Sequence, residues 1–115
     1  MAKDRIRRVN EAVREVLSQA ITTELKDPRV GFVTVTAVDT SPDLRHARVF
    51  VSVLGDDQQR AESLVGLESS HGYLQGRVAT KLRMKHTPQL DFVHDETTER
   101  VMRISELLRR GGEAQ

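Results

Sequence analysis

The sequence predicts an α+β domain of order α-β-β-α-kink-α-β, a three-stranded sheet with helices packed on one face, followed by a C-terminal helix. Three observations carry this: a long amphipathic segment at the start, two β-branched runs separated by a turn cluster, and a glycine- and serine-marked break between two further helical segments. The 115 residues suit one domain, expected over 1–110 with a disordered tail at 111–115. With 37% hydrophobic and 3% aromatic residues, a small sheet covered by helices fits better than a two-sheet sandwich.

The first helix is expected from Arg5 to Leu25. Ile6, Val9, Val13, Val16, Leu17, Ala20 and Ile21 recur at three- and four-residue steps and share one stripe. Asp4 suits an N-cap, and Asp27-Pro28 ends the helix, because the residue before proline avoids helical dihedrals. Arg7, Arg8 and Arg14 fall on the polar face, which for this helix alone reads more readily as a solvated face than as a binding surface.

Phe32 to Asp39 predicts a strand, with Val33, Val35 and Ala37 opposite to Phe32, Thr34, Thr36 and Val38. Thr40-Ser41-Pro42-Asp43 is a turn cluster, and Ala47 to Leu54 predicts a second strand, so the pair forms an antiparallel hairpin. Ala47, Val49, Val51 and Val53 share one face of it; Arg48, Phe50 and Ser52 share the other, where Phe50 either packs or stacks on a base. Gly55-Asp56-Asp57 ends the strand and offers an acidic N-cap to the next helix, whose apolar positions are Ala61, Leu64, Val65 and Leu67.

Ser70-His71-Gly72 predicts a kink, with a second helix over Tyr73 to Met84. There Leu74, Val78 and Leu82 repeat at four-residue steps and face the core. Steps of 100° place Gly72, Gly76, Ala79, Thr80 and Arg83 on another side, with Arg77 and Lys81 along its margin. Such a small-residue strip admits either a nucleic-acid backbone or base, or another packed helix. The charge pattern favours the first: Arg77, Lys81, Arg83 and Lys85 follow one another with no acid between His71 and His86. Lys85-His86-Thr87-Pro88 leads to a strand over Leu90 to His94 with Leu90 and Phe92 inward. A last helix, capped by Thr97 or Thr98, has the stripe Val101, Ile104, Leu107 and Leu108 and ends at Gly111-Gly112.

Net charge is only +1, yet basic groups gather at Lys3, Arg5, Arg7 and Arg8 and again along the kinked helix, while acids gather at Asp56 to Glu68 and Asp91 to Glu99. Absence of cysteine excludes disulfides and thiolate zinc sites. No apolar run has the length of a membrane span and no signal-peptide pattern opens the chain, so a soluble cytoplasmic protein is expected. The histidines, His46, His71, His86 and His94, show no helical i, i+4 metal spacing, and no phosphate-binding loop follows Gly72 or Gly76. Neighbours such as Asp43 with His46, or Ser70 with His71, lack the separation in sequence that assembled catalytic pairs usually have, so no enzyme, cofactor or metal is expected.

Clustered cations that neutralise phosphates give salt-sensitive affinity, and RNA offers shape and splayed bases to a shallow helix–strand surface. The element order is that of a bacterial-type KH domain, although the G-x-x-G loop that usually joins its paired helices is replaced here by Ser70-His71-Gly72. Two stretches are more specific still: the run Asp43-Leu44-Arg45-His46-Ala47-Arg48-Val49-Phe50-Val51-Ser52-Val53-Leu54-Gly55, and Gly72-Tyr73-Leu74 with Leu82-Arg83, Thr87-Pro88-Gln89-Leu90 and Phe92. On these the chain, from Arg5 to Leu108, resembles the ribosome-binding factor A family. The first stretch follows that family's second strand and its entry turn, and the second its kinked helix pair and last strand, with Ser70 where alanine is usual in the family's Ala-x-Gly kink.

The resemblance implies a non-enzymatic, monomeric assembly factor that binds the free 30S subunit, contacts 16S rRNA near the decoding region, assists late maturation including 5′-end processing, and is associated with growth in the cold. The candidate RNA-binding residues are Arg77, Lys81, Arg83, Lys85, Gly72, Gly76, Thr80, Arg45, Arg48 and Arg8. A protein-interaction module without direct RNA contact is the alternative.

Overall fold

A computed structural model describes residues 2–95. Helix α1 (Ala2–Gln19) continues into a π-helical turn (Ala20–Glu24), followed by the hairpin β1 (Phe32–Thr40) and β2 (His46–Leu54), helices α2 (Asp57–Ser69) and α3 (His71–Leu82), and strand β3 (Gln89–His94). The sheet order is β1-β2-β3, with β1 antiparallel and β3 parallel to β2. The expected last helix and tail lie outside the described residues.

The core forms where the inner sheet face meets the helices. Val35, Ala47, Val49, Val51 and Leu90 pack against Val9, Val13, Val16, Leu17, Ala20 and Ile21 from the first helix, Leu67 from α2, and Leu74 and Val78 from α3. The stripes expected for α1, β2 and α3 are therefore buried, except at Ile6 and Leu82, which are only half-buried. Truncating a fully buried member such as Leu74 to alanine costs about 2–5 kcal/mol through lost transfer energy and the cavity left behind.

Asp4 lies in the first turn of α1 rather than at its N-cap, because the helix begins at Ala2. At the other end, the Thr23 hydroxyl donates to the Gln19 carbonyl at 2.7 Å, claiming the acceptor that an α-helical N–H of Thr23 would use. The backbone relaxes into a wider ring, and the Leu25 N–H reaches back to the Ala20 carbonyl at 3.1 Å. Leu25 itself is extended (ψ 132°), and this helix ends one residue sooner than expected. Asp27 then accepts from the Arg29 N–H at 2.9 Å and pairs with its guanidinium at 2.6 Å, which holds the Asp27 carboxyl down at about 2.

Strict alternation fails in β1. Val35 pairs with Val51 but Ala37 pairs with Phe50, so Thr36 is an extra residue in the ladder. Its hydroxyl donates to the Phe50 carbonyl at 3.1 Å. The bulge reverses the faces beyond it: Ala37 turns outward, while Val38 joins the core margin and Thr40 is buried. Thr40 is satisfied there by Asn10, which accepts from its N–H at 2.9 Å.

The inner face of α2 also departs from expectation. Ser63, Gly66 and Leu67 are buried, whereas Ala61 is exposed and Val65 is 51% exposed. Ser63 faces inward because its hydroxyl accepts from the Gly31 N–H at 3.1 Å. A Cβ at Gly66 would meet Val30 Cγ2 at 2.7 Å, so only glycine lets the loop pass this closely. The N-cap is as expected: Asp56 accepts from the Gln59 N–H, and the Gln59 side chain accepts from the Asp56 N–H. The break between helices sits at Ser70 (φ −93°, ψ 5°), while His71 and Gly72 already belong to α3.

Candidate nucleic-acid interface

Helix α3 is positioned by polar side chains as well as by Leu74 and Val78. Gln75 accepts from the Leu90 N–H at 3.0 Å and donates to the Pro88 carbonyl at 2.7 Å, which fastens α3 to the start of β3. His71 Nε2 lies 2.7 Å from the Leu90 carbonyl, which only accepts, so this ring nitrogen carries the proton. The His71 ring also meets Phe92 edge-on, 6.1 Å between centroids. With its inner side fixed, α3 turns Gly72, Gly76, Thr80 and Lys81 outward, all exposed. A Cβ added at either glycine would meet nothing within 4 Å, so no described part of the chain packs on this strip.

Arg83 ends α3 in the left-handed region (φ 52°), its N–H bonding to the Ala79 carbonyl at 3.2 Å. The helix thus stops at Leu82, short of Met84, and Arg83 and Lys85 extend the exposed basic path into the following loop. That loop returns to β3, where the Gln89 N–H donates to the Arg45 carbonyl at 2.8 Å. Arg45 is exposed in the hairpin turn next to the sheet end that Asn10 ties to α1, two residues beyond the exposed Arg8. Arg8, Arg45, Arg83 and Lys85 therefore belong to one end of the domain. Arg48 does not join α3: it lies on the outer sheet face, its register partners Asp39 and Asp91 on either side.

Arg77 differs most from its sequence reading. Its Nε donates to Glu24 Oε1 at 2.8 Å and its Nη2 to Oε2 at 3.2 Å; the Tyr73 hydroxyl donates to the same Oε1. The acid-free run is acid-free only along the chain, because Glu24 arrives from the π-helical turn, 53 residues away. Hydrogen bonds from Tyr73 and then Arg77 hold the Glu24 carboxyl below the usual range, and the same carboxylate raises Tyr73 and Arg77. Glu24 and Tyr73 carried no sequence signal as site residues; only the packing of α1 on α3 brings them together. Among the described residues no group of His, Asp or Glu is arranged to hold a metal ion, and no helix is long and apolar enough to cross a membrane.

Comparison with known proteins agrees with this architecture. The family model described as ribosome-binding factor A matches residues 5–108. A ribosome-binding factor A from Halothermothrix orenii is 43% identical over 110 residues, covering 96% of this chain and 90% of the relative. The crystal structure of ribosome-binding factor A from Thermus thermophilus superposes with a TM-score of 0.68 at 26% identity, covering 77% of this chain and 93% of that one. A homology model of the Thermus thermophilus protein, fitted into a cryo-EM map of a 30S complex, gives 0.62 at 26% identity over 76% of this chain and 91% of that one. The KH-like α+β fold is thus shared with solved ribosome-binding factor A structures, and the chain belongs to the ribosome-binding factor A family.

Proposed function

We propose that this protein binds the free 30S subunit through 16S rRNA, using the exposed side of α3 and the basic loop after it, and assists late 16S maturation including 5′-end processing. The observation that carries this is the open strip of Gly72, Gly76 and Thr80, bordered by Lys81 and continued by Arg83 and Lys85. A strip without side-chain bulk lets an RNA backbone approach the helix, and cations at its margin neutralise the phosphates it brings. The Thermus thermophilus relative fitted into a 30S map supports the choice of subunit. Action is by binding alone, in the cytoplasm and as a monomer, with no cofactor. Arg8 and Arg45 extend the contact at the basic end; Arg48 faces elsewhere and contributes through general charge.

The test is co-sedimentation of Lys81→Glu/Lys85→Glu with purified 30S subunits over a salt series. The expected loss is on the order of tenfold or more near physiological salt, with a shallower salt slope and an unchanged melting curve. Binding equal to wild type removes α3 from the interface. A second reading, a protein-interaction module, draws on one observation: the cross-strand pair Phe32 and Leu54, 79% and 70% exposed at the end of the hairpin. It predicts salt-insensitive binding to a protein partner that is lost in Phe32→Ser.

A further inference from the structure

We propose that Arg77 and Tyr73 form a phosphate cradle that the chain's own Glu24 occupies in the free protein and yields to an rRNA phosphate on binding. This rests on the reading of α3 as the rRNA-facing helix and adds a regulated site to it. Three donors converge on one carboxylate: Arg77 Nε and Nη2, at 2.8 and 3.2 Å, and the Tyr73 hydroxyl. A carboxylate and the two non-bridging oxygens of a phosphodiester present the same fork of acceptors to a guanidinium. What binds Glu24 therefore also binds a backbone phosphate.

The pair is not sealed in the core. The Arg77 and Glu24 side chains are 35% and 23% exposed and Tyr73 is half-exposed, so an anion reaches the donors without opening the fold. Glu24 is also the last residue of the π-helical turn, directly before extended Leu25. Its side chain can leave while Ala20 and Ile21 stay in the core. Lys81 lies one helical turn beyond Arg77, and Gly76 and Thr80 each precede one of these cations. An RNA strand held by Lys81 and Arg83 thus presents its next phosphates to the cradle at high effective concentration.

A free phosphate ion has no such anchorage and must displace Glu24 unaided. The occupied cradle consequently favours a polyanionic strand over scattered small anions. Release of Glu24 by protonation does not occur near neutrality, because Tyr73 and Arg77 keep its carboxyl below the usual range. Competition by a stronger anion is the remaining trigger.

The test uses the full chain with Glu24→Gln, which keeps the side-chain shape and removes the competing charge. Wild type, Glu24→Gln, Glu24→Gln/Arg77→Gln and Lys81→Glu are compared for binding to purified 30S subunits over a salt series. Glu24→Gln is expected to bind about five- to tenfold tighter at an unchanged log–log salt slope, because the cradle holds one phosphate in both complexes; Arg77→Gln in the same chain abolishes the gain and makes the slope shallower by about 0.7–0.9. Inorganic phosphate is expected to shift the Arg77 Nε–H resonance in Glu24→Gln at millimolar concentration and to leave wild type unmoved, which separates free phosphate from RNA as the occupant. Wild-type affinity in Glu24→Gln, or weaker binding in step with a lower melting temperature, would make the pair a structural brace and overturn the proposal. Lys81→Glu keeps the two ideas apart. Loss there without gain at Glu24→Gln removes only the cradle, whereas no loss at Lys81→Glu removes α3 from the interface.

Discussion

Gln75 binds the chain where it enters β3 from both ends of its amide, accepting from the Leu90 N–H at 3.0 Å and donating to the Pro88 carbonyl at 2.7 Å. Two backbone groups at the entry to this strand are met by one half-buried side chain. The orientation of α3 on the sheet, and with it the direction in which its small strip faces, depends on this clasp.

Replacing Gln75 by Leu keeps most of the volume and leaves both backbone groups unpaired. The expected cost is about 2–4 kcal/mol, taken as the desolvation of two half-buried polar groups. Urea unfolding monitored by circular dichroism checks it; a change under about 0.5 kcal/mol would show that water replaces the amide at no cost.

Gly76 separates stability from binding. It lies inside α3, and a Cβ there meets nothing within 4 Å. Gly76→Ala is therefore expected to raise stability by about 0.5–1 kcal/mol, through lower unfolded-chain entropy. If RNA lies against this strip, Gly76→Gln weakens 30S binding severalfold while the domain stays folded. The melting curve reads the first effect and co-sedimentation the second; wild-type binding by Gly76→Gln would deny the strip any contact.

Acid stability should follow three carboxylates, of which Asp43 is lowered by hydrogen bonds from the Ser41 hydroxyl and the Arg45 N–H. Asp27 is lowered from 3.8 to about 2 by Arg29, and Glu24 is lowered by Tyr73 and Arg77. A carboxyl with a depressed folded pKa contributes stability that is complete above its unfolded pKa and is lost as pH falls through the folded value. The melting temperature is thus expected to hold from neutrality to about pH 4.5 and to fall between there and about pH 2. Asp27→Asn and Glu24→Gln each flatten that decline, which a pH series of thermal melts in both variants would detect.

Much of the architecture was legible because it depends on local period. Ile6 to Ile21 and Leu74, Val78 and Leu82 follow the helical repeat, and Ala47 to Val53 follow the strand repeat, so their inner faces are set by spacing alone. The basic residues of α3 and of the loop after it were legible as a run; Lys81 is exposed through its offset to that stripe, and Arg83 and Lys85 because the chain leaves the helix at Leu82. Arg48 was grouped with them by charge, but its place on the opposite sheet face is set by the register with Asp39 and Asp91.

By itself, then, the sequence determined the order of elements, the core stripes of α1, β2 and α3, the Asp56 cap and the basic character of α3, because each depends on residues a few positions apart. Tertiary structure decided the rest. Thr36 became a bulge, and reversed the faces after it, only through pairing with β2. Ser63 and Gly66 turned inward because the loop at Arg29 to Gly31 passes over α2 and needs a hydroxyl and a missing Cβ there. Arg77 ceased to be a free cation because Glu24 reaches it across the α1–α3 contact. In each of these the deciding partner is distant along the chain, and a period read from neighbouring residues carries no information about it.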